Sequence, residues 1–159
     1  MTPIMNDSKS FVDRPLKASP AEVLAAFARL PSDASKSALK EFADKWMYQA
    51  GHEVISVTPV DWVEEPEFVK HLPSDELREF ALSLNSKWRE LVRAFNFTGL
   101  CEDCHSSIAV PYPFVVAGGR FIEYYYWDSY WILQGLLVSN MTTTARHVVE
   151  NMLYVVDKY

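Results

Sequence analysis

Residues 74–95, SDELREFALSLNSKWRELVRAF, decide how this chain reads as a fold. Ser74 stands where a helix N-cap belongs, and Asp75 and Glu76 place acid in the first turn, where the helix dipole favours it. Leu77, Phe80, Ala81, Leu84, Trp88, Leu91 and Phe95 then recur at steps of three and four, which predicts one amphipathic helix from Ser74 to Phe95. Working outward, Ser19-Pro20 caps a helix with Val23, Leu24, Phe27 and Leu30 on one face, stopped by Pro31. A second runs from Ser35 to Ala50, carries Leu39, Phe42, Ala43, Trp46 and Met47, and ends at Gly51. Two more are expected over 128–139 and 143–159, the last with Val148, Val149, Met152, Val155 and Val156 as its apolar face. Residues 1–17 lack an apolar period and read as an extended arm. Residues 52–72 and 96–127 are broken by Pro59, Pro66, Gly99, Pro111, Pro113 and Gly118-Gly119, and read as long loops. With no β-α-β alternation, the expected fold class is all-α.

The composition limits the function classes. In 159 residues, 15 basic side chains face 21 acidic ones, for a net charge of −6, and no Lys/Arg run occurs, so there is no electrostatic footprint for nucleic acid or an anionic lipid surface. No apolar run approaches the ~20 residues of a membrane span. Cys101-Glu102-Asp103-Cys104-His105 has the spacing of a covalent haem attachment. The alternative is a polar loop with two thiols, free or paired with each other. His52, His71 and His147 stand on unrelated segments, while a zinc site needs about four ligands, so neither a metal nor a cofactor is expected. Residues 1–6 carry no basic-then-apolar signal pattern. Three N-glycan acceptor patterns, at Asn6-Asp7-Ser8, Asn96-Phe97-Thr98 and Asn140-Met141-Thr142, point toward an extracellular or membrane-anchored protein.

One segment carries the chemistry. Ala117-Gly118-Gly119-Arg120-Phe121-Ile122-Glu123-Tyr124-Tyr125-Tyr126-Trp127-Asp128-Ser129-Tyr130-Trp131 gathers much of the chain's 14% aromatic content behind a paired glycine. The glycines permit a sharp turn or a close backbone approach. Arg120 offers a planar fork of donors, Trp127 a face for the C–H surface of a pyranose, and Asp128, at the expected N-cap of the next helix, an acceptor for hydroxyls. That set suits a neutral polyhydroxylated ligand. The competing reading is a buried aromatic seam in which Arg120 pairs with Glu123 or Asp128.

The same segment resembles the first signature of the trehalase family of glycoside hydrolases, P-G-G-R-F-x-E-x-Y-x-W-D-x-Y. Gly118, Gly119, Arg120, Phe121, Glu123, Tyr125, Trp127, Asp128 and Tyr130 match it, and Ala117 stands where the family has proline. Residues 7–17, DSKSFVDRPLK, are similar to the family's D-S-K-T-F-V-D-x-P-L-K, with Ser10 in place of threonine. The resemblance implies an inverting hydrolase that splits α,α-trehalose into two glucoses, and it implies that this chain forms an N-terminal part of an (α/α)6 barrel. It further implies that Arg120, Trp127 and Asp128 contact the substrate, with Phe121 lining the same pocket. The family's general acid and base lie further along the chain than its first signature, and its second signature, Q-W-D-x-P-x-G-x-A-P, is absent. The chain therefore reads as an N-terminal fragment without catalytic residues of its own, inactive alone and self-associating through exposed apolar faces. The alternative function is a noncatalytic sugar-binding or helical interaction remnant of a trehalase.

Overall fold

The computed structural model describes residues 7–159, so the Asn6 acceptor pattern lies outside the described residues. The fold is mixed, not the all-α barrel portion expected, because a three-stranded antiparallel sheet stands among the helices. The chain divides into two compact units, Met1–Glu53 with Asn96–Ser107, and Val54–Phe95 with Ile108–Tyr159.

In the first unit, α1 (Lys9–Val12), α2 (Pro20–Phe27) and α3 (Lys36–Trp46) follow in order. The segment read as an extended arm thus holds one short helix. Ser19 and Glu22 close a reciprocal capping box on α2, and Ser35 Oγ accepts from the Ala38 amide at the start of α3. Helix α3 stops four residues before Ala50, because the backbone beyond it is used to hold the arm. Trp46 O accepts from the Lys17 amide at 2.8 Å, and the Tyr48 amide donates to Pro15 O at 2.8 Å. Arg14 is buried there, with Nε donating to Tyr48 O at 2.6 Å and Nη2 to Asp44 Oδ1 at 2.9 Å, so its charge is paired as a buried charge must be. Cys101 and Cys104 form a disulfide, and Cys104 O accepts from the Leu16 amide at 2.7 Å.

The second unit is built on β1 (Val54–Ser56), α4 (Asp75–Ser86), α5 (Trp88–Leu91), β2 (Val92–Phe95), β3 (Phe114–Val115), α6 (Tyr126–Val138) and α7 (Thr142–Lys158). Ser74 caps α4 as expected, its Oγ accepting from the Leu77 amide. The single helix expected over 74–95 nevertheless breaks at Lys87, and its last four residues become the central strand. Strand β2 pairs on one edge with β1, Ile55 opposite Ala94, and on the other with β3, Val92 opposite Val115. Ladder bonds on both edges, together with burial of Val92 at 1% exposure, outweigh a local helical period that Leu91 and Phe95 would otherwise continue. β1 and β3 have only three and two residues, too few to display a period of two in sequence.

The core joins sheet to helices, with Val92, Val115, Leu136, Met141, Ala145 and Val148 packed together and Trp88 against them. Gly135 of α6 lets Trp88 in, since a Cβ there would stand 2.7 Å from Trp88 Cζ2. Asp61 secures the other end of the corner, because Met141 at the N-cap of α7 has no side chain to cap with. Asp61 Oδ2 accepts from the amides of Thr143 and Thr144 at 2.7 and 2.9 Å, and Oδ1 from the Thr144 hydroxyl. Burial raises the Asp61 pKa, but the bonds from Thr144, its own amide and Thr143 outweigh that and hold it below the usual carboxylate value. No helix among the described residues is long and apolar enough to cross a membrane.

Candidate functional site

The route from β3 to α6 is fixed before it reaches the aromatic segment. Buried Asn151 of α7 grips the loop ahead of β3, its carboxamide accepting from the Tyr112 amide at 3.1 Å and donating to Tyr112 O at 3.0 Å. After β3 the Val116 amide donates to Leu91 O, and the chain then turns back on itself at the paired glycine. Gly118 and Phe121 exchange both backbone hydrogen bonds, each at 3.1 Å, around Gly119 and Arg120. Gly119 has φ +60° while Arg120 stays in the ordinary negative region, the pattern of a type II′ turn, which places glycine first. Gly118 is held to glycine twice over, by φ +103° and by the Leu91 side chain 3.1 Å from where a Cβ would sit.

This turn lifts Arg120 out of the body of the unit. Its guanidinium lies over the Phe121 ring, 5.0 Å from the centroid, and Phe121 meets Tyr125 edge-on at 6.3 Å. Tyr125 in turn donates its hydroxyl to Glu123 Oε2 at 2.8 Å. Tyr124 points the other way, 5.4 Å from Phe114, and burial raises its pKa. Tyr124 is only partly buried, while Arg120, Phe121, Tyr125, Trp127 and Tyr130 are exposed.

Helix α6 starts two residues earlier than expected, with Tyr125 at the N-cap, so Asp128 sits inside the first turn rather than capping it. Ser129 takes the inner face at 4% exposure and bonds Tyr125 O at 2.7 Å. Trp127 is left 71% exposed on the outer face, with Tyr126, Tyr130 and Trp131 beside it. The Asp128 carboxylate takes no hydrogen bond among the described residues, so its acceptor sites are open to a ligand. Trp127, Tyr130 and Trp131 also wall a groove of about 450 Å³ completed by Leu133 and by Val149 and Met152 of α7. The sequence reading missed the α7 wall. Val149 and Met152 belong to the apolar face expected for the last helix, and nothing local in the sequence says that this part of the face walls a groove.

Cys101 and Cys104 are bonded to each other, so neither supplies a thiol to a haem vinyl group. His105 is stacked on Phe97 at 4.1 Å with Nδ1 3.0 Å from Ser107 O.

A family model described as Trehalase matches residues 3–159. The chain is 50% identical over 157 residues to the trehalase of Dictyostelium discoideum, covering 95% of this chain and 26% of that protein. It is 38% identical to the trehalase of Oryctolagus cuniculus, covering 100% of this chain and 28% of the relative, and 39% identical to that of Apis mellifera, covering 99% and 26%. It thus spans about a quarter of the length of the curated relatives it matches, at identities that leave no ambiguity of descent, and the chain belongs to the trehalase family.

Proposed function

We propose that this chain supplies substrate contacts to an α,α-trehalase, an inverting glycoside hydrolase that releases two glucoses from trehalose. The observation that carries the reading is that one tight turn and the first turn of one helix carry Arg120, Phe121, Trp127 and Asp128, the first three exposed and Asp128 partly exposed. Arg120 is a multiple donor held over Phe121, Asp128 an open acceptor, and Trp127 an exposed flat face, which together meet the hydroxyls and the C–H surface of a pyranose. The relatives named trehalase support the substrate assignment.

Inversion requires a carboxylic acid to protonate the glycosidic oxygen and a carboxylate to activate water from the opposite face, about 6.5–9.5 Å apart. We assign neither role to a residue of this chain. Contacts that bind substrate and transition state equally do not lower the chemical barrier, so Arg120 and Asp128 act by orienting the sugar for an acid and base that stand outside residues 1–159. Losing one polar partner in a desolvated sugar site costs about 1–3 kcal/mol. In the full-length trehalase carrying this chain, Arg120→Ala and Asp128→Ala should each lower kcat/KM for trehalose at least ~10-fold at unchanged thermal stability. Parent kinetics in both variants would overturn the assignment.

A further inference from the structure

We propose that Asn96 carries an N-linked glycan, and that Asn140 does not. Two features of one loop converge on this. The acceptor pattern Asn96-Phe97-Thr98 and the Cys101–Cys104 disulfide both lie in the segment Asn96–Ser107. A disulfide forms and persists in oxidising compartments, and attachment of glycans to Asn-X-Thr takes place in the same environment during secretion. The disulfide therefore supplies what a three-residue pattern lacks, an independent reason to place this loop where the modifying enzyme works.

The local geometry fits the chemistry. Asn96 and Thr98 are exposed, and Asn96 Oδ1 accepts from the Thr98 amide at 3.1 Å, an Asx-turn that brings the carboxamide and the threonine to the same side of the loop. The Asn96 backbone amide is tied to Glu53 O at 2.7 Å, so the residue is anchored by its main chain. Its Nδ2 donates no hydrogen bond among the described residues, whereas the Nδ2 groups of buried Asn85 and Asn151 are each engaged by backbone carbonyls. Phe97 is turned inward onto His105, and Gly99, at φ +81°, carries the chain away.

Asn140-Met141-Thr142 is built differently. Asn140 occupies the left-handed region at φ +58°, its amide bonded to Leu137 O, and Met141 is wholly buried with its amide on Leu136 O. Thr142 is already the first residue of α7. The pattern is locked into a helix corner and cannot be drawn out as an acceptor peptide without dismantling the core.

In the transfer, Asn96 Nδ2 forms a bond to the anomeric carbon of an oligosaccharide carried on a polyisoprenyl pyrophosphate. The anomeric C–O bond breaks, the pyrophosphate leaves with the electron pair, and Nδ2 releases one proton. The proposal does not depend on the sugar substrate of the fold.

The test is peptide mapping of the full-length protein from the cells that make it, after enzymatic deglycosylation in heavy-oxygen water, which labels each formerly glycosylated asparagine. Label on Asn96 and none on Asn140 is expected. In a secretory host, Asn96→Gln and Thr98→Ala should lose the glycan-sized mobility shift at that site, Thr98→Ser should keep it, and Asn140→Gln should leave it unchanged. An unlabelled Asn96 in the native protein, or a label on Asn140, would overturn the proposal.

Discussion

Asp61→Ala tests how the corner that carries the aromatic helix is held. The carboxylate accepts three bonds from α7, two from first-turn amides and one from the Thr144 hydroxyl. Loss of a helix cap costs about 1–2 kcal/mol. Thr144 is only 4% exposed, so its amide would be stranded away from water, adding about 1–3 kcal/mol, whereas part-exposed Thr143 can find solvent. The sum is about 2–5 kcal/mol of local stability. Since each 1.4 kcal/mol is tenfold, amide exchange at Thr143 and Thr144 should quicken roughly 30- to 4,000-fold in the variant. The pH dependence has a definite sign. Because the folded pKa of Asp61 lies below the usual carboxylate value of about 3.9, its stabilisation is complete above that value and fades as pH falls through the folded one. The gap between the parent and Asp61→Ala should narrow on acidification below about pH 4. Exchange within twofold of the parent at neutral pH, or a gap that does not narrow in acid, would refute this account of the α6–α7 corner.

Two other outcomes follow from the packing and from the residue roles. Gly135→Ala places a methyl 2.7 Å from Trp88 Cζ2 and forces the indole off its bond to Ser139 Oγ; overpacking of about 1–3 kcal/mol should exceed the ~1 kcal/mol that alanine gains in helix propensity, and a urea midpoint equal to the parent's would contradict it. The isolated 159-residue chain should release no glucose from trehalose and should elute above its 18.2 kDa mass, since Phe80 and Leu84 of α4 and Leu153 and Val156 of α7 are more than half exposed; glucose formation near the full-length rate, or a cooperatively melting monomer, would overturn that expectation.

The sequence disclosed what local rules control. Ser19, Ser35 and Ser74 mark three helix starts because a cap is a contact within four residues, and the paired glycine marks its turn because φ > 0 at Gly119 excludes most other residues. It concealed what distant partners decide. Val92–Phe95 reads as the end of a helix until β1 and β3, far away in the chain, offer ladders on both edges. Asp61 looks like any acidic loop residue, since its partners stand more than 80 positions later. At the candidate site, the exposed side chains were legible as a pattern of residue types. The position of Asp128 was not, because a helix start two residues earlier moves it from the cap into the first turn.

The most direct measurement is a crystal structure of the full-length trehalase with trehalose bound. The sugar should lie with hydroxyls within about 3.2 Å of the Arg120 guanidinium and the Asp128 carboxylate, a pyranose face against Trp127, and Phe121 at its edge. Trehalose bound at a site that none of these four residues touches would contradict the account.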